Sequence, residues 1–301
     1  SAPLSTADGV WAVDGHLVLV TRFEPETYLA MIEKYKITHT FMVPTMFVRL
    51  LKLPDEVRLK YDVSTLEHVI HGGAPCARDI KLQMIDWIGP VLFELYGGTE
   101  TGIVTYATSQ DFLDHPGSVG PPVEGAIVKI FDDDGNELPA GEVGEIYCRH
   151  PGYPDFTYQN RHQDRLDMER HGLLSLGDVG YLDEDGYLYI TDRKRDMIIS
   201  GGSNIYCTMV EAPFLEHPQI MDCAAFGIPH DELGESLALA VEARPGVTLD
   251  PADLTAFGKT KLSGFMVPGT FIFMDELPRD PSGKIYKRKL RDPYWEGRSQ
   301  I

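Results

Sequence analysis

Hydrophobic residues recur at helical spacing through residues 25–36, where Tyr28, Leu29, Ile32 and Tyr35 follow an early proline, and this predicts an amphipathic helix. A short β-rich run at 38–43 follows, and Phe47-Val48-Arg49-Leu50-Leu51 after Pro44 reads as a second helix. Residues 66–70 predict a buried strand, broken by His71-Gly72-Gly73-Ala74-Pro75. A helix at 79–87 and a strand at 91–95 come next. The first hundred residues therefore alternate in α/β fashion, and glycine turns at the strand ends of such sheets are where ligands sit.

From about residue 118 the pattern changes to short strands and acidic turns. Residues 126–131 and 143–148 flank Asp132-Asp133-Asp134-Gly135-Asn136, and 180–182 and 187–190 flank Asp183-Glu184-Asp185-Gly186. Two β-hairpins are the simple account; such turns invite a calcium reading, but Asp and Gly are favoured there for backbone reasons. After Arg193-Lys194-Arg195 come a strand at 197–199, a helix at 209–215, strands at 223–227 and 237–242, a helix at 251–261 and a strand at 270–273. The expected fold class is α/β plus a β-rich part and a small α+β unit. A first domain would span 1–194, α/β to about 110 and β-rich over 111–194, and a second would span 195–301. No internal repeat or low-complexity tract interrupts this.

Composition adds bounds. With 301 residues, 43% hydrophobic and 24% charged, the chain is expected to fold around two cores. No run approaches the roughly 20 apolar residues of a membrane helix, and the start lacks the features of a secretory signal, so no transmembrane segment and a cytoplasmic location are expected. The formal charge of -19, from 46 acidic against 27 basic residues, opposes nucleic acid as a partner. A nucleotide site must then gain affinity locally, from backbone NH groups, a metal and a few cations. Cys76, Cys148, Cys207 and Cys223 show neither CxxC nor zinc-type spacing and read as buried thiols.

Four separated segments carry groups suited to nucleotide chemistry. In Tyr96-Gly97-Gly98-Thr99-Glu100 two glycines let backbone approach a flat ligand or phosphate, Thr99 can bond a phosphate oxygen and Glu100 can hold Mg2+. Taken alone, it reads more simply as a glycine turn at a strand end. Asp178, in Leu176-Gly177-Asp178, can accept both ribose hydroxyl protons with Arg193 reinforcing the contact, or it caps a turn. The run from Arg193 to Gly201-Gly202 joins a charged cluster to a strand and a diglycine loop, which leaves a narrow passage unobstructed. Lys284, on the turn Pro281-Ser282-Gly283-Lys284, can neutralise charge as a carboxylate attacks the α-phosphate of ATP. Lysines on surface turns are common, and it is the order of the four segments that discriminates.

In that order the segments resemble the adenylate-forming superfamily, which includes AMP-forming acyl-CoA synthetases, aryl-CoA ligases, luciferases and peptide-synthetase adenylation domains. The likeness extends through HVIHGGAPC, HPGSVGPPVEG, DDDGNELPAGEVGEIY, GDVGYLDEDGYLYITDRKRDMIISGGSNIY and LPRDPSGKIYKRKLR, nearly the whole chain. It implies the adenylate-forming fold, with a β-barrel-like subdomain and a mobile C-terminal α+β domain. It also implies an enzyme that activates a carboxylic acid with ATP and Mg2+ and passes the acyl group to coenzyme A. By the same resemblance, His71, Gly72, Gly73 and Ala74 with Tyr96, Gly97 and Gly98 border the adenine and acyl pocket. Thr99 and Glu100 serve phosphate and magnesium, and Asp178 and Arg193 hold the ribose. Arg195 sits at the hinge, Lys284 serves adenylation, and Gly201 and Gly202 lie beside the pantetheine arm. LEHVIHGGAPC and IDWIGPVLFELYGGTE are similar to synthetases for fatty and bulky alicyclic acids. The implied partners are small molecules (carboxylic acid, ATP, CoA), and a homo-oligomer is compatible with the reading.

The pattern also departs from the family. The Ser/Thr/Gly-rich phosphate loop that precedes these motifs does not occur in the 301 residues, and Gly258-Lys259-Thr260 lacks its partner glycine because position 253 is Asp253. An N-terminally truncated form of the fold, impaired by itself, is therefore expected. Ser203, Cys207 and Met209 stand where similar enzymes usually show Glu, Pro and Glu, which touches the CoA passage more than adenylation. Two rival readings are an adenylation domain that loads a carrier-protein thiol and a non-catalytic remnant that does not bind ATP.

Overall fold

The computed structural model describes residues 10, 12–194, 196–279 and 285–297. Helix α1 (Pro25–Tyr35) starts on a proline whose fixed φ suits the first turn and ends on Lys36 in the left-handed region. It buries Leu29 and Ile32 and leaves Tyr35 exposed. Helix α2 (Pro44–Leu51) buries Phe47 and Leu50, α3 (Asp55–Arg58) is a single turn, and α4 (Arg78–Ile88) buries Met84. Strands β1 (His39–Met42), β2 (His68–Gly72) and β3 (Leu92–Gly98) run parallel, and β4 (Gly102–Ala107) closes the four-stranded sheet antiparallel to β3. The apolar stripes of α1, α2 and α4 meet Met42, Val69 and Leu92 in one core. Full burial of a side chain such as Phe47 contributes about 1.5–3 kcal/mol. Helix α5 (Ser109–Asp114) follows β4, started by a capping box between Thr108 and Asp111.

The β-rich part places β5 (Ile127–Phe131), β6 (Gly144–Arg149), β8 (Leu173–Leu182) and β7 (Glu169–Arg170) side by side, with β9 (Leu188–Arg193) also on β8. Helix α6 (His162–Asp167) precedes β7. In both acidic turns the leading aspartate serves the backbone. Asp132 Oδ1 accepts the Asn136 NH at 2.7 Å, and Asp183 Oδ1 accepts those of Asp185 and Tyr187 at 3.1 and 2.8 Å.

The remaining segments are β10 (Ile198–Ser200), β11 (Ser203–Ile205), α7 (Cys207–Leu215), β12 (Ile220–His230), β13 (Gly234–Ala243), α8 (Pro251–Lys261), β14 (Thr270–Met274) and α9 (Lys287–Trp295). Their sheet runs β11-β10-β13-β12, with β14 parallel to β13. Strand β12 is a near-continuous apolar run because both of its faces are covered. Cys223 and Ala225 pack with Phe214 of α7 and Leu254 of α8, while Ala224 and Phe226 pack with Leu277 and with Leu290 of α9. Gly258-Lys259-Thr260 falls inside α8, so it forms no phosphate loop.

The chain divides into two compact units, Ser1–Leu176 with Tyr181–Ile190, and Gly177–Gly180 with Thr191–Ile301. Among the described residues no helix is long and apolar enough to cross a membrane. None of the four cysteines is in a disulfide; Cys148, Cys207 and Cys223 are buried, whereas Cys76 is only half-buried.

Candidate active site

In the first unit the parallel pairing of β2 and β3 sets Gly72 beside Leu95. The strand ends carrying Gly72, Gly73 and Ala74 and Tyr96, Gly97 and Gly98 are thereby neighbours. Gly72 lies so close to β3 that a Cβ would stand 2.7 Å from the Leu95 carbonyl oxygen. At Gly97 the ladder bulges, φ is +152°, and a Cβ would meet the Gly102 carbonyl oxygen at 2.1 Å. Only bare backbone fits at either place.

The turn beyond Gly98 is braced from inside. The Gly98 NH donates to Thr101 Oγ1 at 3.0 Å, and the buried Thr101 hydroxyl donates to the Gly102 carbonyl at 3.1 Å. On this turn Thr99 is exposed and Glu100 is half-buried. Tyr158 donates its hydroxyl to Glu100 Oε1 at 2.8 Å. Burial, and then Glu100 as acceptor and charge, push the Tyr158 phenol up to about 12, so it stays a donor across the neutral range. A carboxylate oriented through one oxygen is the donor type that a hard cation such as Mg2+ takes.

The core side of these strands holds a polar cluster. Lys81 of α4 and Glu94 of β3 form a buried ion pair. His71 Nδ1 lies 3.9 Å from Glu94 Oε1, and its ring meets Phe47 edge-on at 5.3 Å. Burial, followed by the charge of Lys81, pushes His71 down to about 3, so the ring is neutral and its contact with Glu94 is no ion pair. Burial pushes the Glu94 carboxyl up, against the opposing effect of Lys81. His71 is 1% exposed. A ligand at the strand end would therefore meet residues 72–74 and not this imidazole.

In the second unit Arg193 Nε stands 3.3 Å from Asp178 Oδ1, and Asp178 is 6% exposed. The Lys194 NH donates to the Gly177 carbonyl at 2.7 Å, which fixes the two segments side by side. Next to them the buried Asp192 accepts the NH of Arg193 at 2.7 Å and that of Cys207. Burial pushes the Asp192 carboxyl up, with Lys287 opposing. Lys287 bonds Glu211 at 2.8 Å; burial alone would lower its affinity for the proton, and the acidic groups around it, Glu211 first and then Cys207 and Asp192, together more than reverse this. Cys207, one of the departures from the family pattern, points its thiol at the Asp196 carbonyl at 2.9 Å. Met209 is exposed. Gly201 and Gly202 form the left-handed turn between β10 and β11, and nothing lies within 4 Å of a Cβ placed on Gly202.

Arg195 and Lys284 lie outside the described residues. Near Lys284 in sequence, Arg279 bridges to Ile285, Arg279 bonds Asp222 at 2.5 Å, and the Tyr286 NH donates to the Pro278 carbonyl at 2.7 Å. The expected residues thus form two groups, 72–74 with 96–100 in one unit and Asp178, Arg193, Gly201 and Gly202 in the other. Tyr158, Thr101 and the Glu211–Lys287 pair were not foreseen. Only Thr101 gave a signal, its place directly after the Glu100 motif.

Residues 9–153 match the AMP-binding enzyme family, and residues 209–284 match the AMP-binding enzyme C-terminal domain. The chain is 34% identical over 275 residues to a long-chain-fatty-acid–CoA ligase of Bacillus subtilis, covering 91% of this chain and 49% of that protein. It is 33% identical over 290 residues to the fatty acid–[acyl-carrier-protein] ligase ScoC of Streptomyces coeruleorubidus, covering 93% and 54%. Among solved structures, ATP-bound MatB from Rhodopseudomonas palustris superposes with a TM-score of 0.85 at 30% identity, covering 93% of this chain and 55% of that one. The chain spans about half the length of the curated relatives it matches. With the motif order, the α/β, β-rich and α+β architecture and these matches in agreement, the chain belongs to the AMP-binding, adenylate-forming enzyme family.

Proposed function

We propose that the protein is an ATP-dependent acyl-CoA synthetase, converting a carboxylic acid, ATP and CoA to acyl-CoA, AMP and pyrophosphate through an acyl-adenylate. The observation that carries this reading is the Asp178–Arg193 pair, a nearly buried carboxylate held by a guanidinium, in a chain of this family. Its two acceptor oxygens suit the vicinal hydroxyls of a ribose.

In this reading Gly72, Gly73 and Ala74 with Tyr96, Gly97 and Gly98 border the adenine and the acyl chain. Thr99 takes a phosphate oxygen and Glu100 holds Mg2+, whose contribution is to neutralise phosphate charge. Lys284 neutralises charge as a carboxylate oxygen attacks the α-phosphorus and pyrophosphate leaves. The CoA thiol then passes along Gly201 and Gly202, attacks the carbonyl carbon and displaces AMP. Residues 195–301 act as a mobile domain on 1–194, pivoting at Arg195 between the two steps. Because the 301 residues contain no phosphate-gripping loop, they turn over poorly by themselves.

The acid is a fatty or bulky alicyclic one. Two relatives named for fatty-acid substrates and the small residues at 72–74 support this. The match to ScoC also favours a second reading, in which the acceptor is a carrier-protein thiol. The test is acid-dependent AMP release by the full-length gene product, with a panel of acids and with either free CoA or a pantetheinylated carrier protein. Release with CoA supports the synthetase and release only with the carrier supports the alternative. No release, together with no calorimetric binding of ATP, removes both.

A further inference from the structure

We propose that His39, Glu67 and His68 form a zinc site at the edge of the four-stranded sheet, separate from the magnesium position assigned to Glu100. One ligand atom from each of the three lies within 4.8 Å of the other two. His39 and His68 are partners in the β1–β2 register, and their rings stack with centroids 4.5 Å apart and planes 9° from parallel. Glu67 precedes β2, outside the strict alternation of the strand, so its carboxylate is not forced to the face opposite His68.

Thr38 ties the three together. Its carbonyl accepts the NH groups of Glu67 and His68 at 2.8 and 3.0 Å, and its hydroxyl lies 2.9 Å from His39 Nδ1. An Nδ1–H donated to that hydroxyl leaves the lone pair on Nε2, the outer-shell arrangement that orients a metal-bound imidazole. The other face of His68 lies on Phe93 at 4.6 Å. Its Nδ1 is buried with no hydrogen-bond partner among the described residues. A bond from that nitrogen to a cation would satisfy an atom that folding otherwise strips of water.

Two imidazoles and one carboxylate suit a borderline ion such as Zn2+, with a fourth position for water, whereas Mg2+ and Ca2+ take oxygen. Parallel rings aim their lone pairs in parallel planes, so binding requires one ring to tilt. His39 is exposed on an edge strand and can do so, while His68 is held between two rings. The bound ion clips β1 to β2 at the opposite end of β2 from Gly72.

The test is calorimetric titration of the untagged chain with ZnCl2 in excess Mg2+, beside the visible absorption of bound Co2+. One site per chain is expected. His39→Ala and Glu67→Gln, both at exposed positions, weaken it by about tenfold or more with unchanged circular dichroism. Absence of stoichiometric binding overturns the proposal. So does equal affinity in the wild type and both variants, which assigns the ion to other histidines.

Discussion

The hydroxyl of Tyr158 donates to Oε1 of Glu100 at 2.8 Å, across 58 residues of chain. Tyr158→Phe removes that donor and little else. The Mg2+ concentration needed for AMP release should rise several-fold, with a stability change under about 1 kcal/mol. An unchanged Mg2+ requirement would show that the phenol does not orient Glu100. The phenol, near 10 when unfolded, is pushed to about 12 in the fold, so the unfolded chain releases a proton first as pH rises. Stability should therefore be full below about pH 10 and decline toward 12, less steeply in the variant.

Asp178→Asn leaves Arg193 beside a neutral amide. Affinity for ATP, or for a non-hydrolysable acyl-AMP analogue, should fall about tenfold or more, the size expected on losing hydrogen bonds to a charged acceptor. Arg193→Lys should fall between that variant and wild type, because an ammonium lacks the fork. Calorimetry reads both; full affinity in Asp178→Asn contradicts the ribose assignment.

Lys284→Ala should suppress formation of the adenylate by orders of magnitude while sparing thioester formation from supplied acyl-adenylate. Pyrophosphate exchange and single-turnover transfer of the full-length gene product separate the two. Equal loss in both steps would count against a role confined to the first.

The buried Lys81–Glu94 pair holds α4 to β3. Glu94→Leu strands an ammonium in the core and should cost about 3–5 kcal/mol, whereas Lys81→Met with Glu94→Leu should recover most of it. Urea unfolding decides the point: a double variant as unstable as the single one means that shape, not charge, is at stake.

His71 is pushed down to about 3 from an unfolded value of 6.5. A base depressed in the fold contributes stability fully above its unfolded value and loses it as pH falls toward the folded one. The melting temperature should thus drop between about pH 6.5 and 3, and His71→Leu should flatten the decline. An identical slope in the variant would place the acid sensitivity elsewhere.

Most elements were legible because their apolar periodicity is local. Leu29 and Ile32 repeat at helical spacing, and the hairpin turns announce themselves through Asp and Gly. What escaped lacked that signal. Helix α9 buries only Leu290 and contains Pro293, so its sequence reads as a charged tail. Strand β8 begins at Leu173, seven residues before the expected 180, because Leu173, Leu174 and Ser175 are all buried and show no alternation. Strand β4 and helix α5 hide behind the glycine motif that precedes them. At the site, motif spacing carried Thr99, Glu100 and Asp178, but side-chain pairs that bridge distant segments, such as Tyr158 with Glu100 or Glu211 with Lys287, leave no trace in spacing.

Because Gly177–Gly180 groups with the segment beginning at Thr191, the polypeptide enters the second unit, leaves it and returns. No single scission can yield the two units whole. A gene fragment started at 191 would carry Arg193 without its carboxylate, and one stopped at 190 would keep Asp178 on the wrong piece. Dissection of this protein is better attempted by splitting and co-expressing two overlapping stretches than by trimming either end.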